Sequence, residues 1–170
     1  MVMRKNSNIL NQRRVSTALT IVLLFFAGIA ASGVSMSKSE ILATFKQYLS
    51  LNEELSSSVA SGHSNSGKPY DQLRKEIEAF AAVPSGPFQQ ALNAAEHVEC
   101  TRADAEILQG LFRVIIATSN SADESPAATL TDIYFCQSNF LENQFKLLQS
   151  SEQRQVYENL KFGFEIKVAY

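Results

Sequence analysis

An apolar run behind four basic residues constrains this chain more than any other feature of its sequence. Residues 15–34 contain no charged side chain, and Arg4, Lys5, Arg13 and Arg14 precede them. Each Leu, Ile, Val or Phe at the centre of such a run favours insertion at a translocon by about 0.3–0.6 kcal/mol, while flanking basic residues stay in the cytoplasm. The run therefore predicts that the rest of the chain is exported to the far side of a membrane.

The length of the apolar run leaves two outcomes open, a cleaved signal peptide and a retained anchor. About 20 apolar residues span a bilayer, whereas the strongly apolar centre, residues 19–31, fits the 7–15 residues of a signal-peptide core. Small residues from Ala30 to Gly33 offer cleavage positions. Either outcome separates a targeting segment, residues 1–35, from an extracytoplasmic domain, residues 36–170. We expect this domain in the periplasm, secreted, or anchored at the inner membrane.

The charge of the mature part excludes two classes of partner. All 17 acidic residues follow the apolar run, and only 11 basic residues accompany them, which gives a net charge of −6. Phosphate backbones require clustered Lys and Arg, so nucleic acid is not an expected partner. Anionic lipid surfaces also repel such a domain. Contact with a membrane is therefore expected only through an uncleaved N-terminal segment.

Apolar residues recur at helical intervals through most of the mature part. The spacing of Ser37 and Glu40 predicts a capping box at the first helix, and later starts are predicted at Pro69, after Pro87 and at Ser125. A repeat of the capping spacing, Thr101 with Asp104, predicts a bend or restart between them. We expect an all-α fold, an irregular bundle of about five helices.

The chain end has a different pattern. Apolar residues alternate with others at every second position and would share one face of a strand: Phe162, Phe164, Ile166, Val168 and Tyr170. The sequence shows no second strand to pair with this short C-terminal one. Two interpretations remain: the five residues bind a partner by joining its sheet edge, or the tail packs in extended form across the bundle.

Two cysteines, Cys100 and Cys136, are the clearest covalent prediction. An even number of cysteines in an exported domain favours a disulfide bond. The alternative is a pair of free thiols. In that case Cys100 and His97, three residues apart, are weak candidates for metal ligands. The neighbouring Glu96 and Glu99 are expected on a solvated helix face.

No motif in the sequence predicts catalysis. The chain has no nucleophile elbow, no glycine-rich phosphate loop, no HExxH zinc motif and no CxxCH haem attachment site. We therefore expect no enzymatic activity and no cofactor.

The expected function follows from the predicted export, the helical domain and this lack of motifs. We predict a helical protein of a bacterial cell envelope that acts without catalysis by binding another macromolecule as an adaptor, an inhibitor or an accessory subunit. The partner is expected to be a protein of unknown identity, and the chain could also associate with itself. The alternative is an extracytoplasmic helical protein that binds a small ligand or a metal ion.

Overall fold

The structure, a computed structural model, describes residues 35–61, 67–119 and 123–169. Six helices occupy most of them: α1 (Lys38–Ser61), α2 (Tyr70–Phe80), α3 (Pro87–Arg102), α4 (Ala105–Ala117), α5 (Ser125–Phe145) and α6 (Ser150–Ala169). The described ranges contain no strand, so the all-α prediction is confirmed, with six helices where about five were expected.

The predicted targeting segment falls almost wholly outside this description. Residues 1–34 and Tyr170 are not among the described residues, so the signal or anchor interpretation stays a prediction. Within the described ranges, no helix combines the length and the apolar character needed to cross a bilayer.

Local sequence signals determine where α1 begins. Glu40 donates its N–H to the Ser37 hydroxyl over 3.3 Å, and its carboxylate accepts from the Ser37 N–H over 2.7 Å. This is the reciprocal capping box that the spacing predicts, because each side chain satisfies an N–H that the first turn leaves without a partner. The predicted starts at Pro69 and Pro87 are also confirmed, since α2 begins directly after the first and α3 at the second.

The predicted break between Thr101 and Asp104 is confirmed, although a different residue caps the new helix. Ala103 takes a positive φ of 50° and separates α3 from α4. Asp104 then caps α4, since its carboxylate accepts from the N–H groups of Glu106 and Ile107. Thr101 remains in α3 and donates its hydroxyl to the carbonyl of His97. The chain therefore turns because Asp104 satisfies the first N–H groups of α4.

The core lies where α1, α3, α4 and α5 meet. Its largest fully buried side chains come from these helices and from α2: Ile41, Phe45, Tyr48, Leu73, Phe88, Leu92, Ile107, Leu108, Leu111, Phe112, Ile115 and Leu130. The rings of Tyr48 and Phe88 stack with centroids 3.7 Å apart. Tyr48 also donates its hydroxyl to Asp123 over 2.8 Å, which ties α1 to a residue two positions before α5.

The predicted C-terminal strand is wrong, because α6 continues as a helix to Ala169. Helical geometry places Val156, Gly163 and Phe164 on the face that packs against α5. Gly163 is buried where α6 crosses α5, and a Cβ added there would lie 2.6 Å from the carbonyl oxygen of Ala127. The extended packing of the tail is therefore excluded as well. The close crossing stabilises a helix where the alternating pattern favours a strand.

Candidate functional site

An apolar groove runs between α5 and α6 on the surface of the bundle. Its volume is about 440 Å³, within the 300–1,000 Å³ of typical ligand sites. Two stripes at helical spacing line it: Tyr134, Leu141, Glu142 and Phe145 from α5, and Tyr157, Leu160, Lys161, Phe164 and Glu165 from α6. The backbone of α5 departs from helical geometry at Gln137, between Tyr134 and the other α5 residues of the lining. The groove therefore presents residues from both sides of this kink.

Phe164 connects the groove to a small aromatic cluster. Its ring meets those of Tyr134 and Phe135 edge-to-face, with centroid separations of 5.5 and 5.4 Å. Such pairs contribute about 0.5–1.5 kcal/mol beyond the burial of their area. The Lys167 ammonium lies 5.9 Å from the centroid of the Phe135 ring and also pairs with Asp132. The aromatic wall of the groove is thus fixed by contacts on both helices.

Exposed apolar side chains are frequent on the two helices that form this groove. Four of the seven large apolar residues exposed in the described ranges lie on α5, on α6 or on the connection between them: Phe135, Leu147, Tyr157 and Phe162. Tyr157 lines the groove and is 57% exposed. Phe135 packs against Phe164 of the lining, so the exposed rings of Tyr157 and Phe135 continue the apolar surface of the groove, and a contiguous apolar surface marks an interaction site.

Acidic residues outnumber basic ones at the groove. Glu142 and Glu165 are exposed on opposite sides, and Lys161 is the one basic residue of the lining. Lys161 lies 4.0 Å from Glu165 in an exposed ion pair, a type of pair that contributes about 0–1 kcal/mol. The groove therefore has an apolar floor and a net negative edge.

The five tail residues that the sequence singles out have different positions in the helix. Phe164 lines the groove, Phe162 is 41% exposed, and Ile166 is half-buried. The side chain of Val168 and the whole of Tyr170 lie outside the described residues. Since a helix distributes these residues around its axis, they do not form the single face that a strand would give. Their role in binding stays a prediction, and the strand through which they were expected to bind is absent from the described residues.

Sequence reasoning missed most of the residues that line the groove. A helical spacing of four residues joins Val156, Leu160 and Phe164. This spacing continues from the preceding helix into the predicted strand. Following that spacing would have placed Tyr157 and Lys161 beside Phe164. The lining residues of α5 could not be predicted in this way, since the spacing of apolar residues does not show which of them remain exposed after the helices pack.

The predicted disulfide is confirmed between Cys100 of α3 and Cys136 of α5, with Cα atoms 5.4 Å apart. Cys136 is exposed and Cys100 is half-buried, so the bond lies near the surface. It joins two helices that also pack against each other. It leaves Cys100 without a thiolate for the weak metal site with His97. In the described ranges no three His, Cys, Asp or Glu side chains could hold a metal ion together.

Glu99 contradicts the expectation of a solvated helix face. The residue is fully buried, and its carboxylate accepts from the Asp104 N–H over 3.0 Å at the α3–α4 turn. Its second oxygen has no hydrogen-bond partner among the residues that the structure describes. Burial disfavours the charged form and raises the pKa of Glu99 to about 7. The Asp104 carboxylate also raises this pKa, whereas the Asp104 N–H, Lys38 and Arg102 lower it.

We expect Glu99 to make the domain less stable as the pH rises from 5 to 8. The folded pKa lies above the value of 4.5 for an ordinary glutamate, so the native state retains a proton that the unfolded state releases. The free energy of unfolding should fall by about 2–3 kcal/mol over this range. In Glu99→Gln, which retains an oxygen for the Asp104 N–H, this dependence should disappear.

Thermal unfolding followed by circular dichroism at several pH values tests this prediction. Glu96→Gln, a partly exposed position on the same helix, is the matched control and should keep the wild-type profile. A wild-type protein whose Tm is constant from pH 5 to 8 would contradict the prediction.

A second groove lies near the C-terminal end of α4. It has a volume of about 580 Å³ and is lined by Leu49, Asn52, Glu53, Leu55, Ser56, Ala117 and Thr118. Its described lining contains no aromatic side chain, and most of these side chains are polar. The α5–α6 groove is therefore the stronger candidate for recognition.

Comparison of the chain with known protein families, with curated proteins and with solved structures gives no match.

Proposed function

We propose that this chain is an exported, non-catalytic protein of a bacterial envelope whose helical domain binds a protein partner through the α5–α6 groove. The exposed aromatic side chains at the groove, Tyr157 in its lining and Phe135 against Phe164, carry the proposal. Tyr and Phe provide large contact areas with few rotatable bonds, which is why aromatic residues are enriched where proteins bind one another.

Two further observations support the location and the mode of action. The basic leader and apolar run are typical of an exported chain, and disulfides such as Cys100–Cys136 persist in oxidising compartments. Six of the nine residues that line the groove are apolar or aromatic, a composition that is typical of binding sites. The lining thus supports a role in binding.

The groove also favours a second candidate, a small apolar ligand held between α5 and α6. Its volume falls within the range of such sites. The exposed Phe135 argues for the larger partner, because it packs against Phe164 without lining the groove, and a small ligand inside the groove would leave it in water.

We expect Tyr157 to contact the partner directly. Replacing it by a photo-crosslinking aromatic amino acid in the full chain should attach a protein covalently in the producing cell. The same replacement at Tyr70, which is 45% exposed on α2, is the matched control and should attach none. With the captured protein purified, Tyr157→Ala should weaken binding at least about 10-fold, since truncated interface tyrosines often cost more than 1.4 kcal/mol.

Two results would overturn the proposal. Equal crosslinking at both tyrosines would place the partner elsewhere or show non-specific capture. A crosslink at Tyr157 to a small molecule alone, identified by the mass added to the chain, would favour the ligand-binding candidate.

A further inference from the structure

We propose that the α5–α6 groove takes an amphipathic helix of the partner, with its apolar stripe inserted between the two helices and with Lys or Arg beside that stripe. This inference rests on the proposed function and specifies the chemistry of the partner. Its two parts come from the shape of the groove and from the charges at its edge.

The shape of the groove matches a third helix. The lining residues of α6 extend from Tyr157 to Glu165, which corresponds to about 12 Å along the axis. That length accommodates about two turns of a partner helix. The lining repeats at intervals of three and four residues on α6, and the side chains of another helix pack between such rows. The structure describes no sheet edge that could bind an extended peptide instead.

The charge at the groove indicates which residues the partner helix has beside its apolar stripe. The lining has two acids and one cation: Lys161 pairs with Glu165 and leaves Glu142 as the excess negative charge. The mature part as a whole has a net charge of −6. Basic residues on a partner would be attracted to this edge, and acidic ones would be repelled, since complementary charge fixes orientation and excludes wrong partners. The same excess of acid disfavours a second copy of this domain as the occupant.

Three synthetic peptides of about 14 residues test both parts of the proposal, since that length covers the groove with one turn to spare at each end. The first has Leu at helical spacing with Lys elsewhere, and the second has the same Leu positions with Glu elsewhere. The third has the composition of the first in an order that destroys the stripe. Binding to the full chain is measured by fluorescence anisotropy at low and at physiological salt.

We expect the Lys peptide to bind at least 10-fold more tightly than the Glu peptide and the scrambled peptide. Tyr157→Ala should weaken its binding, and the Glu142→Gln/Glu165→Gln double variant should remove most of its advantage over the Glu peptide. Glu158→Gln is the matched control, because Glu158 is exposed on α6 and does not line the groove. Added salt should reduce the advantage, since it screens exposed charges.

The outcomes separate this inference from the proposed function. Equal binding of the Lys and Glu peptides, weakened by Tyr157→Ala, would overturn the basic flanks and leave the groove as a protein-binding site. Equal binding of the Lys peptide and its scrambled form would overturn the helical shape. Self-association in sedimentation runs that Tyr157→Ala abolishes would assign the groove to a second copy. Failure of the crosslinking at Tyr157 would instead overturn the proposed function itself.

Discussion

Loss of the Cys100–Cys136 disulfide is expected to lower the free energy of unfolding by about 3–4 kcal/mol. The two cysteines are 36 residues apart in the sequence, and closing a loop of that size removes conformational entropy from the unfolded chain. Because Cys136 is exposed and Cys100 only half-buried, replacing both by Ser removes little packing. The expected loss therefore reflects the cross-link and corresponds to a fall in Tm of roughly 10 °C.

Denaturant unfolding of the Cys100→Ser/Cys136→Ser variant, with and without a reducing agent, measures this loss. The reducing agent should destabilise the wild type and leave the variant unchanged, which makes the variant its own control for side effects of reduction. Thiol titration of the denatured, unreduced wild type should find no free thiol. Two free thiols per chain, or equal midpoints for wild type and variant, would contradict the prediction.

Substitution of Gly163 is expected to separate the end of α6 from α5. A Cβ at this position would lie 2.6 Å from the Ala127 carbonyl oxygen and would overlap the Thr131 hydroxyl. The first of these atoms belongs to the backbone of α5, so the two helices must move apart. We expect Gly163→Val to cost about 3 kcal/mol, and Gly163→Ala to cost less because Ala favours the helix by about 1 kcal/mol over Gly.

Gly110→Ala provides the matched control for the Gly163 variants. A Cβ at Gly110 of α4 meets only side-chain atoms, at 3.1 Å from Leu42 and 3.2 Å from Phe45. These side chains can adjust, so the change should stay within about 1 kcal/mol. Hydrogen exchange should show faster opening of α6 in Gly163→Val alone. Unchanged exchange in α6 and an unchanged Tm would refute the close crossing.

The sequence predicted part of the candidate site, but it did so from a strand pattern, and the structure has a helix there. The apolar alternation directs attention to Phe164, which lines the groove, and to Phe162, which is exposed on α6 outside the lining. The alternation predicts a strand because it depends only on which residues are apolar. It contains no information on how closely a neighbouring helix approaches. Gly163 reverses the outcome, since the absence of a side chain lets α5 and α6 meet there.

The buried Glu99 shows the same limit for a single charged residue. Its position in the sequence, next to Glu96 and His97 in a polar stretch of α3, favours a solvated face. Its burial depends on the α3–α4 turn, where the Asp104 N–H offers a donor to its carboxylate. No periodicity in the sequence predicts this burial, because it requires the turn and the surrounding helices to be in place.

The sequence by itself determined the all-helical class, the capping box at Ser37, the break before Asp104 and the pairing of two cysteines. These features depend on local hydrogen bonding, on helical spacing and on there being only one partner for each cysteine. The tertiary structure alone decided the conformation of the chain end, the burial of Glu99 and the groove between α5 and α6. Each of these depends on which helix faces which, and at what distance, and a residue pattern along one helix does not contain that information.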